Sequence, residues 1–97
     1  MIEADIRRAL VDVIDPELGV NIVDLGLVYG VEIDGGTIRI AMTMTSPACP
    51  LRDYLQGVVE SAVTERVAGA ERVIVDIVSE PLWTEAMMSD AARAQLR

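Results

Sequence analysis

Histidine, lysine and phenylalanine are all missing from this 97-residue chain, and cysteine occurs once. The lack of histidine excludes a Ser–His or Cys–His nucleophile pair within the chain, and it excludes any histidine-ligated metal site. Because Cys49 stands alone, an intrachain disulfide is excluded as well, and a reducing, intracellular location is expected.

Positive charge and long apolar stretches are also scarce. The chain has eight arginines and 16 acidic side chains, which gives a formal net charge of −8. This deficit disfavours binding to nucleic acids or to anionic membranes, because both need a basic face. The longest apolar stretch, residues 25–31 with glycines admitted, is far shorter than the ~20 residues of a membrane-spanning helix. The amino terminus is acidic where a secretory signal would be basic, so we expect a cytoplasmic protein.

The remaining composition is typical of one folded domain. Hydrophobic residues make up 52% and charged residues 25% of the sequence, enough for an apolar core under a polar surface. No repeat, linker or low-complexity tract divides the chain. We therefore expect a single domain over residues 1–97.

Periodicity predicts six elements in the order α-β-β-α-β-α. Residues 17–28 show no period and are expected to be irregular, and the Asp-Gly-Gly sequence at 34–36 predicts a hairpin turn. The fold class is therefore two-layer α/β (α+β), with helices packed on a small three-stranded sheet whose strand order is left open. The predicted helices are residues 2–14, 51–63 and a short one from about 84 or 89 to 96, and the predicted strands are 28–33, 38–44 and 72–78.

Cys49 stands between two prolines, at the predicted junction of the second strand and the second helix. Proline is favoured at the first helical position, and Pro50 in that position makes Cys49 the N-cap residue. A thiol there faces unpaired backbone N–H groups and the positive end of the helix dipole, which together lower its pKa. The alternative, that Cys49 is a small buried hydrophobe at the junction, fits the local sequence equally well.

A single thiolate per chain restricts the metal chemistry. An iron–sulfur cluster usually takes four thiolates and a structural zinc ion takes four Cys or His ligands, so a stable site ligated by one chain is not expected. A site shared between the Cys49 residues of two chains stays open, and with it a homodimer. A site formed by Cys49 and a partner's ligands also stays open.

Asp15, Asp24 and Trp83 each have a structural interpretation. Asp15 and Pro16 fit the first two positions of a type I turn, in which the Asp15 carboxylate accepts a backbone N–H. Asp24 is expected to cap the irregular segment in the same way. Trp83, the only tryptophan, is either a lid on the core, which we favour, or an anchor for a partner protein.

Three segments resemble the signatures of the SufT/PaaD-like family of small iron–sulfur cluster assembly domains. They are DPELGVNIVDLGLVY at residues 15–29, MTMTSPACP at residues 42–50, and PLWT at residues 81–84 continuing to residues 88–89. They follow the family's order and span nearly the whole chain. Leu82 departs from the pattern, because many members carry a second proline there. The chain ends without the cysteine-rich extension of the PaaD branch, which favours the short, SufT-like form.

The resemblance implies an α/β domain akin to the cluster-assembly scaffolds. It implies a non-enzymatic role in assembling iron–sulfur clusters or transferring them to client apoproteins, with the assembly machinery and its clients as partners. By the same resemblance Cys49 is the functional thiol and a shared or transient metal ligand. Asp15, Asp24, Thr45 and Ser46 are then expected to line the same pocket.

Two other functions stay open on the residues alone. In the first, Cys49 is the nucleophile of a thiol enzyme, with an Asp, a Glu or water as its base because histidine is missing. In the second, the chain is a purely structural adaptor that docks through the irregular segment and Trp83. Nucleic-acid binding by a KH-like fold is disfavoured by the net charge and by the lack of a GXXG loop.

Overall fold

The computed structural model describes residues 2–45 and 52–96. The predicted order of elements is confirmed over these ranges, with a short 3₁₀ turn added before the last helix. Helices and strands are α1 (Glu3–Leu10), β1 (Val28–Asp34), β2 (Thr37–Met42), α2 (Arg52–Arg66), β3 (Arg72–Ile77), the 3₁₀ turn (Glu85–Met87) and α3 (Asp90–Gln95).

The three strands form one sheet in the order β1-β2-β3. β1 and β2 are the antiparallel hairpin that the sequence predicts, and β3 runs parallel to β2. The Ile and Met side chains of β2 are buried while Arg39 between them is exposed, as the period of two predicts. Ile40 pairs with Val31 on one side and with Val75 on the other, so these three side chains share the core face of the sheet.

α2 provides the crossover that a pair of parallel strands requires. It packs against β3 and against α1, which in turn contacts β1, so both helices lie on the core face. None of the helices in the described ranges is long and apolar enough to cross a membrane. The largest fully buried side chains are Ile6, Leu10, Ile22, Leu25, Leu27, Ile38, Ile40, Met42 and Leu55.

The first helix is shorter than the sequence predicts, because it ends at Leu10. Residues 13–14 then pair with residues 21–22 in an isolated antiparallel bridge, in which the Ile22 N–H donates to the Val13 carbonyl at 3.0 Å. Side chains alternate along this bridged backbone, so Val13 is buried and Ile14 is 48% exposed. The predicted helix over residues 2–14 is therefore wrong at both ends. Ile14 lies in the extended bridge, and Ile2 precedes the helix and is 61% exposed, so neither side chain packs in the core as a helix over 2–14 implies.

Candidate functional site

Thr45, one of the residues of the predicted site, follows the end of β2, at the end of the sheet where β1 begins. Thr43 follows β2 directly, and its N–H donates to the Leu27 carbonyl at 2.8 Å. Thr45 lies two residues further along the chain and is half-buried. Ser46 and Cys49 come next and lie outside the described residues, so the N-cap position of Cys49 and the place of Ser46 stay predictions.

Asp15 closes the first turn of the irregular segment. Its Oδ1 accepts the N–H of Glu17 at 2.8 Å and, more weakly, that of Leu18 at 3.4 Å. Its own N–H donates to the Val20 carbonyl at 2.9 Å, and the residue is 3% exposed. The prediction that Asp15 holds a turn by accepting backbone N–H groups is confirmed.

We expect Asp15→Ala to lower the free energy of unfolding by about 1–3 kcal/mol, because the part-buried Glu17 N–H loses its acceptor. Asp15→Asn keeps an Oδ1 acceptor in the same place and should lose less than half as much. Urea unfolding followed by circular dichroism measures both values. Equal losses for the two variants would show that the turn does not depend on this acceptor.

Asn21 and Asp24 close the second turn through a reciprocal pair of hydrogen bonds. The Asp24 N–H donates to Asn21 Oδ1 at 2.9 Å, and Asn21 Nδ2 donates to Asp24 Oδ2 at 2.7 Å. The residue that caps a backbone N–H is therefore Asn21, whereas the sequence-based expectation assigned that task to Asp24. The signal that would have found it is the spacing of an Asn three residues before an Asp, which resembles a capping box.

Residues 81–89, named here the C-terminal strap, lie against this second turn. Trp83 Nε1 donates to the Leu25 carbonyl at 2.6 Å, and the Ser89 N–H donates to the Asp24 carbonyl at 2.7 Å. A side chain on Gly26 would overlap the backbone of Met87, so the two segments are in close contact. Trp83 is half-buried and packs on the core, as the favoured lid interpretation predicts, while its role as a partner anchor stays a prediction.

Tyr29 ties the strap to the first residues of β1. It lies where the register of β1 against β2 shifts, between Val28 and Gly30. Its hydroxyl donates to the Pro81 carbonyl at 2.7 Å and lies 3.5 Å from Met87 Sδ. Sequence reasoning missed this residue, because Tyr29 was indistinguishable from any other aromatic residue of a strand.

The structure places the two acidic residues in consecutive turns of one segment and Thr45 three residues after the end of β2. No direct hydrogen bond joins Asp15, Asp24 and Thr45 to one another among the described residues. No three Asp or Glu side chains in the described ranges come together as a metal site. Every buried side-chain nitrogen or oxygen there has a hydrogen-bond partner. The hydrogen bonds of Asp15 and Asp24 thus assign them to turns, and the shared pocket stays a prediction.

Residues 3–77 match the family of iron-sulfur cluster assembly proteins. The chain belongs to this family. It is 42% identical over 85 residues to the Fe-S protein maturation auxiliary factor SufT of Staphylococcus aureus, which covers 87% of this chain and 96% of that protein. The predicted resemblance to SufT is therefore confirmed. The fold superimposes on the crystal structure of a domain of unknown function, DUF59, from Bacillus anthracis, with a TM-score of 0.94 and 39% identity over 97% of this chain and 90% of the other.

A similar sequence also occurs within a much longer protein. The iron-sulfur cluster carrier protein of Synechocystis is 40% identical over 66 residues, which cover 68% of this chain but only 18% of the carrier. The domain therefore exists both as most of a short protein and as a small part of a carrier.

Proposed function

We propose that this chain is an auxiliary factor of iron–sulfur cluster assembly, which binds both the assembly machinery and client apoproteins. The observation that carries the assembly role is the family match over residues 3–77. The auxiliary factor that resembles nearly the whole chain supports an accessory task, and the carrier protein supports a task in cluster transfer. Both names describe helpers, so we propose an adaptor or carrier in place of an enzyme.

In this proposal Cys49 is the residue that touches the cargo. A thiolate is the form of cysteine that binds iron, and a position near a helix N-terminus favours the thiolate. α2 extends from Arg52, three residues after Cys49 in the sequence, and this short separation supports the proposal. Because one thiolate does not complete a cluster site, we propose that the cluster is held transiently. A second copy of the chain, a partner protein or a small thiol would supply the other ligands.

We place the protein in the cytoplasm, because a lone functional thiol needs a reducing compartment. Asp15, Asp24, Thr45 and Ser46 are proposed to line the approach to Cys49. One hydrogen bond supports this proposal: the Thr43 N–H donates to the Leu27 carbonyl, which joins the end of the segment that carries Asp15 and Asp24 to the chain two residues before Thr45.

We expect Cys49→Ala to reduce client maturation to the rate measured without the protein. The assay follows the activity of a purified iron–sulfur apoenzyme under anaerobic conditions, with a loaded scaffold protein as the cluster source. Ser61→Ala is the matched control, because Ser61 is an exposed small residue on α2 and its loss should leave the rate unchanged. Full activity of Cys49→Ala would show that the thiol does not carry the function.

The same variant separates the carrier from the purely structural adaptor. A carrier that lacks Cys49 should still bind its partners in a pull-down, but it should no longer deliver a cluster. An adaptor should keep both partner binding and maturation. The two measurements are therefore made on the same preparations of the wild type, Cys49→Ala and Ser61→Ala.

A further inference from the structure

Residues 31–34 of β1, named here the β1 edge, lie on an outer side of the sheet. The turn between β1 and β2 has two residues, so its flanking pair, Asp34 and Thr37, is hydrogen-bonded within the ladder. Bonded pairs alternate along an antiparallel ladder, which directs the N–H and C=O groups of Val31 and Ile33 away from the sheet. No residue in the ranges 2–45 and 52–96 forms a hydrogen bond with these outward groups.

The outer side of β3, the other edge strand, is partly occupied. The Val78 N–H donates to the Met42 carbonyl at 2.8 Å, and inward-facing residues alternate along a parallel strand, so the Val75 carbonyl faces outward. Gln56 Nε2 of α2 donates to this carbonyl at 3.2 Å. A strand added to β3 would have to displace the Gln56 side chain, whereas one added to the β1 edge displaces no hydrogen bond of the described residues.

The β1 edge is acidic on one face of the sheet. Glu32 and Asp34 are exposed and lie on the face opposite the core, because side chains alternate along a strand. Neither side chain forms an ion pair or a hydrogen bond with another residue of the described ranges. Arg39 lies opposite Glu32 on β2 but forms its ion pair with Asp76 of β3, at 3.8 Å. Two negative charges without a cationic partner therefore line this edge.

The same edge is apolar on the core face. Ile33 is 37% exposed, although Ile38, its partner on β2, is fully buried. Strands flank Ile38 on both sides, whereas Ile33 has a strand on one side only. An apolar side chain on an added strand would lie beside Ile33 and remove it from water.

We propose that the β1 edge is a docking site for an extended segment of a partner protein, which adds to the sheet as a fourth strand. The outward N–H and C=O groups of Val31 and Ile33 supply the hydrogen bonds of this pairing. Charge complementarity calls for basic side chains beside Glu32 and Asp34, and burial of Ile33 calls for an apolar one on the opposite face. The partner segment is therefore a stretch in which lysine or arginine alternates with apolar residues.

A second copy of the chain does not have this chemistry. Pairing of two β1 edges about a two-fold axis would place Glu32 and Asp34 of both copies on one face, where like charges repel. The acidic side chains thus disfavour self-association and favour a basic strand. The inference is independent of the proposed function, because it requires neither a cluster nor the thiol of Cys49.

The test uses a capped peptide as long as the seven residues of β1, in which lysine and valine alternate. The control peptide has the same composition but carries its lysines together at one end, so its charge is kept and its two faces are mixed. Fluorescence anisotropy of the labelled peptides measures affinity for the full chain. Amide hydrogen exchange, with and without saturating peptide, measures where the peptide binds.

We expect the alternating peptide to slow exchange of the Val31 and Ile33 amides by about tenfold, since each gains an acceptor. The Glu32 amide, which is already bonded within the ladder, should change little. The control peptide should bind about tenfold more weakly, because it cannot bring its charges and its apolar side chains to opposite faces.

Glu32→Gln should weaken binding of the alternating peptide by about two- to fivefold, the effect of losing one exposed ion pair. Glu65→Gln is the matched control, because Glu65 is an exposed glutamate on α2 and its loss changes the net charge equally. Its affinity for the peptide should equal that of the wild type. Equal weakening by both variants would show that the peptide responds to net charge and not to the β1 edge.

Three further results overturn the inference. One is no binding of the alternating peptide at millimolar concentration. Another is binding that leaves the exchange of Val31 and Ile33 unchanged, because the peptide then adheres elsewhere. The third is slow exchange of both amides without peptide, together with a dimer in analytical ultracentrifugation, because a second copy of the chain then occupies the edge.

Discussion

Gly26→Ala should lower the free energy of unfolding by about 2–5 kcal/mol, one of the two largest effects that we expect. Gly26 has a φ of +79°, a left-handed conformation that costs an alanine roughly 1–2 kcal/mol. The added Cβ would also overlap the carbonyl of Met87, so the strap must shift, and such overpacking costs about 1–3 kcal/mol more. Urea unfolding followed by circular dichroism measures the sum.

Gly19→Ala separates these two causes. Gly19 belongs to the preceding turn and has a similar φ of +70°, but a Cβ built on it meets no other atom within 4 Å. We expect it to show only the backbone cost, roughly 1–2 kcal/mol. If both glycines lose the same stability, the contact with Met87 contributes nothing and the strap is not held against the loop in solution.

Ile40→Ala should cost about 2–5 kcal/mol, because it leaves a cavity that its neighbours do not fill. Ile40 is fully buried in the central strand, and its partners Val31 and Val75 lie on two strands that hydrogen bonds hold at a fixed spacing. The sheet therefore has little freedom to collapse around the missing atoms. Thermal and urea unfolding of the variant give the loss.

The matched control is Ile33→Ala in β1. Ile33 is the same residue type on the same sheet, but it is 37% exposed and lies next to the hairpin turn. Water already reaches its side chain, so we expect less than half the loss of Ile40→Ala. Similar losses at the two positions would mean that the core does not centre on β2.

The results of the client-maturation assay can be interpreted only together with these measurements of stability. A variant with lower maturation activity is informative about the site only if it is folded at the assay temperature. Asp15→Ala and Gly26→Ala change turns of the candidate site and the stability of the fold together. Cys49→Ala is therefore the variant that addresses function, and Ser61→Ala on α2 is its control.

The sheet and the second helix were predictable because their side chains repeat with a clear period. The alternation of apolar and polar residues in β2 predicted its buried face, and the structure confirms it. The end of the first helix was not predictable in the same way. Val13 and Ile14 fit the helical period, but the hydrogen bond from Ile22 to Val13 draws them into an extended bridge. A pairing between residues apart in sequence thus overrode the local pattern.

In the candidate site, too, contacts within a short segment were predictable and contacts between distant segments were not. The turn held by Asp15 was predictable because its acceptor and its donors lie within three residues of one another. The contact of Trp83 with the Leu25 carbonyl spans 58 residues, and the sequence contains no sign of it. The same holds for Tyr29, whose hydroxyl bonds to a carbonyl 52 residues away.

The sequence by itself determined the class of the fold, the family, the turn at Asp15 and the single thiol on which the proposed chemistry depends. The family follows from three segments that resemble its signatures. The other features follow from residue type and local spacing, which need no contact between residues distant along the chain. The tertiary structure alone decided the order of the strands, the length of the first helix and the docking of the strap on the loop that carries Asp24. Each of these needs hydrogen-bond partners that are distant along the chain and meet only when a common core brings them together.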